Sequence, residues 1–166
     1  MEAVLQHKKE IVLRAEGYSM YPYILPGDLC VFRSAREGIR PGQVGLVAGN
    51  GGVLYSHRLH RIERIGSGIR YVFRGDANGY FDVPVYRSQI VGVLRELTRD
   101  GRTIREDGAW RRLWSFVALR APFALLPFER IARRKERRSD RPAAERWEGH
   151  VIGGRGGAGG TGRSGP

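Results

Sequence analysis

Apolar residues alternate with polar ones from the start of the chain. In "EIVLRAEG" (10–17) Ile, Val and Leu lie between charged ends and stop at Gly17, the pattern of a β-strand. "DLCVFRS" (28–34) and "VGLVA" (44–48) read the same way. "VLYSHRLHRIERI" (53–65) predicts a longer strand, with Leu54, Leu59, Ile62 and Ile65 as its apolar members. "IRYVFRG" (69–75) and "SQIVGVLREL" (88–97) add two more. Between these runs, Pro22 and Pro26 in "MYPYILPGD" exclude a long regular helix. "GNGG" (49–52) and "GSG" (66–68) mark turns, and "ANGYFDVPV" (77–85) a loop. Many short strands with glycine-rich turns make the expected fold class mainly β, with a β domain over residues 1–98. No internal repeat is visible.

Past Gly101 the apolar spacing becomes helical. Trp110, Leu113, Trp114, Phe116 and Val117 form a wide stripe in "AWRRLWSFVALRAPFALLPFERIARR", broken near Pro122. Residues 99–129 are therefore expected to be an amphipathic helical segment. It reads either as a helix packed on the β domain or, over 110–138, as a helix lying on a membrane surface or a protein partner. From Arg130 to Arg138 six of nine residues are basic, and nine of the last 18 residues are glycine. Residues 130–166 thus read as a basic, Gly-rich disordered tail.

Composition sharpens this. The 166 residues suit one domain, and the net charge of +12 is uneven. Residues 1–94 carry 12 basic and 8 acidic side chains, residues 95–166 carry 17 and 9. A basic tail draws anionic partners such as lipid head groups. Nucleic acid is not expected as a partner, because the tail holds no readable motif and the 18 residues before Ser19 cannot supply a helix-turn-helix. Cys30 is the only cysteine, which excludes an intramolecular disulfide, and its apolar run "GDLCVF" marks it as a core residue. The four histidines lack cysteine partners or a paired-ligand spacing, so neither a metal nor a cofactor is expected. The N-terminus lacks the apolar core of a signal peptide. No stretch reaches the roughly 18–20 apolar residues of a transmembrane helix. The nearest, 113–128, is interrupted by Arg120 and Pro122. The expected location is cytoplasmic, with 110–138 available for attachment at the inner face of the membrane.

The candidate chemistry begins at Ser19, in "GYSMYPYILPGD". A serine hydroxyl becomes a nucleophile only beside a base, and the developing oxyanion needs donors. Lysines occur at 8, 9 and 135, all in charged stretches and none in an apolar strand, so a Ser-Lys pair is not expected. Histidines 57 and 60 lie on the long predicted strand, three residues apart and hence on opposite faces. Only one can face Ser19, and His57, which follows apolar residues, is the better base. An acid should orient the imidazole. "RGDANGYFD" offers Asp76 and Asp82, although Asp76 alone reads as a turn residue.

Taken together and in this order, "GYSMYPYILPGDLCVF", "SHRLHRI" and "RGDANGYFD" resemble the signal peptidase and LexA-type superfamily of serine peptidases, over about residues 11–94. The first block is similar to its nucleophile box, Ser-Met-x-Pro followed by Gly-Asp and an apolar strand. His57-Arg58-Leu59 resembles the histidine version of the base strand found in archaeal and endoplasmic-reticulum signal peptidases. The resemblance implies a signal-peptidase-like coiled β-sheet and a serine endopeptidase acting on an extended peptide with small residues before the cleavage point. It implies Ser19 as nucleophile, His57 as general base and Asp82 as the third catalytic residue. Asp76 would support them, Met20 and Pro22 would shape the cleft, and Gly27 and Asp28 complete the box. The Ser19 backbone N–H would help form the oxyanion hole. Gly17 stands where many bacterial members add a serine hydroxyl, and no membrane anchor precedes Ser19. The competing expectation is a catalytically inactive module of the same fold, used for binding or regulation.

Overall fold

The computed structural model describes residues 10–120 and 126–139. Seven strands form one antiparallel sheet: β1 (Glu10–Arg14), β2 (Leu29–Ser34), β3 (Val44–Ala48), β4 (Leu54–Ile65), β5 (Gly68–Arg74), β6 (Ile90–Arg99) and β7 (Arg102–Arg105). The strand order is β1-β2-β6-β3-β4-β5, and β7 pairs with β6. All six expected strands are present. The sheet continues past the expected boundary at 98, because β6 turns directly into β7. Two helices follow, α1 (Ala109–Arg120) and α2 (Leu126–Ser139). α2 takes residues 130–139 into a helix, although the sequence pattern reads them as the start of the disordered tail; the rest of that tail, from residue 140, lies outside the described residues.

Strand alternation supplies most of both apolar layers, and the 20–24 turn, the short 35–39 segment and Val85 add to them. One gathers Met20, Tyr23, Ile24, Cys30, Phe32, Val44, Leu46, Leu94 and Leu97. The other gathers Ala35, Ile39, Val47, Leu59, Phe73, Val85, Ile90 and Val93. Cys30 is buried, as its apolar run predicts. Gly45 sits opposite His57 in the β3–β4 register, and a Cβ there would lie 2.7 Å from the Phe73 ring. A glycine is needed to let Phe73 close the second layer.

α1 packs on the domain through Trp114, whose ring stacks on Tyr23, and through Ser115 and Ala118, both buried. That is the packing reading of this segment. Leu113 and Phe116, counted in the expected stripe, remain exposed; the Trp110 side chain is outside the described set. α2 returns toward the 18–22 turn, placing Phe128 against Tyr21 and Trp114. Among the described residues no helix is long and apolar enough to cross a membrane.

Candidate active site

β4 carries His57, the candidate base. Residues 58–65 of β4 pair with β5, whereas 54–57 pair with β3 alone. His57 therefore stands where one strand edge becomes free. The chain after β5 folds back along it: Asp82 N–H donates to the Phe73 carbonyl at 2.9 Å, and Tyr71 and Val85 exchange backbone bonds of 2.8 and 3.0 Å. This return carries Asp82 to His57, and Nδ1 meets the Asp82 carboxylate at 2.6 Å. An imidazole with Nδ1–H held by a carboxylate presents its Nε2 lone pair outward. Nε2 has no hydrogen-bond partner among the described residues.

The same segment positions Ser19. Its carbonyl accepts from Ala77 N–H at 2.8 Å, and a Cβ on Gly75 would lie 2.6 Å from that oxygen. Gly75 thus lets the 74–78 turn close on the serine. Neither the Ser19 hydroxyl nor its N–H has a partner among the described residues. Ser19 and His57 are not hydrogen-bonded to each other. Ser19 lines a groove of about 210 Å³ between Leu13–Gly17 and Leu54–Ser56. His57 and Asp82 line a separate hollow of about 640 Å³, and Tyr55 borders both. Lys135, the only described lysine, sits over the Tyr18 and Tyr21 rings that flank Ser19, at 5.9 and 4.6 Å.

No protein-family model matches the chain, and no curated protein matches it.

The supporting residues divide by role. Asp76 is a buried hub: both its oxygens bind the Arg58 guanidinium, at 2.8 and 2.6 Å, and Trp114 Nε1 donates to it at 2.7 Å. Arg58 also donates to the Gly42 carbonyl at 2.7 Å and to Ser115 Oγ at 3.3 Å, and it lies over the Tyr23 ring. Burial works against its charge, but the Asp76 carboxylate raises its pKa. This clamp ties β4, the 74–78 turn and α1 together. Asp28 is buried too. It receives Leu25 N–H at 2.8 Å and holds Arg99 of β6 at 2.9 and 2.6 Å. Gly27, at φ +95°, turns the chain into that contact. Met20 is buried in the first apolar layer and walls the Ser19 groove, while Pro22 follows a cis peptide bond.

Two placements escaped the sequence. The β4–β5 register slips between Leu59 and Arg61, leaving His60 as an extra residue. His60 packs edge-on to Phe81 instead of simply facing away from His57. Tyr55, at the boundary of groove and hollow, carried no signal beyond its strand pattern. Burial, and then the Asp82 charge, push its hydroxyl up to about 12.

Proposed function

We propose that this chain is a serine endopeptidase of the signal-peptidase-like type, with the coiled sheet of that superfamily and a Ser-His-Asp set. The observation that carries the reading is the His57–Asp82 pair at 2.6 Å, with Nε2 unpartnered among the described residues, on the same backbone segment that pins Ser19. The sheet's shape supports it. β1 and β4 stand far apart in strand order, yet both line the Ser19 groove, so the sheet curls around it. Among the described residues β1 pairs only with β2, and the first residues of β4 only with β3, which leaves strand edges unpaired there on both sides of the groove. An extended peptide can add as a strand there.

In this reading Ser19 Oγ attacks the scissile carbonyl carbon and its proton passes to His57 Nε2. The Ser19 N–H, unpartnered among the described residues, would donate to the developing oxyanion. The C–N bond then breaks, and His57 returns the proton to the leaving amine. A water, deprotonated by His57, attacks the acyl carbon; the ester C–O bond to Ser19 breaks and His57 returns the proton to Ser19 Oγ. Asp82 holds the Nδ1–H tautomer throughout. The unliganded distance between hydroxyl and imidazole tightens when substrate binds. The exposed Leu113 and Phe116 of α1, beside the basic α2, would hold the enzyme to an anionic membrane surface.

The test is labelling by a serine-directed acylating probe. Wild type should label, and Ser19→Ala and His57→Ala should not; equal labelling of all three would sink the reading. One observation favours a second: Ser19 and His57 are not hydrogen-bonded and line different cavities. In that reading the chain is an inactive peptidase-fold module that binds peptides without cutting. It predicts no labelling, but retained peptide binding.

A further inference from the structure

The hollow beside His57 differs from the Ser19 groove in size and in chemistry. It is lined mainly by aromatic and aliphatic side chains, among them Tyr55, Tyr80, Phe81, Val83 and Tyr86. Four of these come from the single return segment that carries Asp82, and they are unusually open: Tyr80 is 62%, Phe81 45%, Val83 77% and Tyr86 57% exposed. Grouped exposed apolar side chains on a folded domain mark a contact surface. The hollow's one carboxylate and its one side-chain amide are already engaged. Asp82 is engaged by His57. The Gln89 amide receives Tyr86 N–H at 2.9 Å and donates to the Ala48 carbonyl at 3.3 Å. The wall is braced from behind: the Arg61 and Arg74 guanidinium groups lie over the Phe81 ring at 4.7 and 5.2 Å, and His60 meets its edge.

Its place relative to the reacting groups says which part of a substrate it meets. The acyl portion must sit with Ser19, in the narrower groove. The histidine that takes the serine proton must deliver it to the leaving nitrogen, so that nitrogen comes within hydrogen-bond reach of Nε2. The chain beyond the scissile bond therefore passes Tyr55 and enters the His57 side. We infer that this hollow receives the first side chain after the scissile bond and selects a large apolar or aromatic residue there. The inference rests on the peptidase reading proposed above and adds a specificity that the groove around Ser19 does not supply.

The experiment uses the full chain and internally quenched peptides that share one acyl side and vary only the residue after the cleaved bond: Phe, Leu, Ala, Lys or Asp. Phe and Leu should exceed Ala in kcat/KM by about tenfold or more, and Asp should be the poorest. In the double variant Tyr80→Ala/Val83→Ala, both positions solvent-exposed, the Phe-to-Ala ratio should fall to about threefold or less. Binding of the Phe and Ala peptides to Ser19→Ala protein, followed by calorimetry, gives a readout without turnover. A flat profile in both measurements, or a ratio untouched by the double variant, overturns the inference. Loss of probe labelling with the Phe preference kept in binding would overturn the peptidase reading and leave the hollow as an apolar side-chain site. Labelling with no preference would do the reverse.

Discussion

Arg58 is among the largest side chains completely removed from solvent, and it is charged. Such a group is tolerable only when its nitrogens find acceptors, and Asp76, Gly42 and Ser115 serve all three of them. Asp76→Ala strands the guanidinium and should cost about 3–5 kcal/mol in urea unfolding. The sequence shows Asp76 as a turn residue and Arg58 as one member of a motif. It cannot show the clamp, because the partners lie at 58, 76 and 114 and only the fold joins them. His60 gives a second residue-scale expectation. Burial first, and then the Arg74 charge, lower it from 6.5 to about 4. Between these values the unfolded chain holds more protons than the folded one, so the stability is complete above about pH 6.5 and fades as pH falls toward 4. Urea midpoints at pH 7 and pH 5 should drop more for wild type than for His60→Leu, and parallel drops would refute the assignment.

At the scale of elements, alternation made the strands legible, since a half-buried strand writes its faces into its sequence. β7 was missed because "RTIR" has only one large apolar residue. Its turn was nonetheless written there: Asp100 and Gly101 both take positive φ, 49° and 74°, as a two-residue Asp-Gly hairpin requires. The bulge at His60 left no such mark, because the β5 partner, not the local pattern, decides which residue is extra. Two glycines carry element-level predictions. Gly45→Ala should cost about 1–3 kcal/mol by forcing the Phe73 ring aside, read as a shift in denaturation midpoint. Gly75→Ala presses on the Ser19 carbonyl and should slow probe acylation by roughly tenfold to a hundredfold, a loss exceeding its effect on folding. Unchanged acylation would separate the 74–78 turn from the nucleophile.

For the molecule as a whole, the curl of the sheet brings β1 and β4 together, and this is the feature a one-dimensional pattern hides most completely. Strand order depends on which edges meet, and the blocks around Ser19, His57 and Asp82 gave only their succession along the chain. Cys30 reports on that closed state. It is buried, and burial, with the Asp28 charge next, pushes its thiol up to about 12. An aromatic disulfide reagent should leave it untouched in native protein and modify it fully in denaturant; rapid native labelling would mean the first apolar layer opens. One more consequence follows from two neighbours on β4. His57 turns to Asp82, and Arg58 turns the opposite way to Asp76. The proposed reaction and the frame therefore rest on separate residues. Substitution at 57 or 82 should remove the proposed chemistry and leave the fold standing, whereas substitution at 58 or 76 should disturb both. Midpoint shifts for His57→Ala should be clearly smaller than for Arg58→Ala.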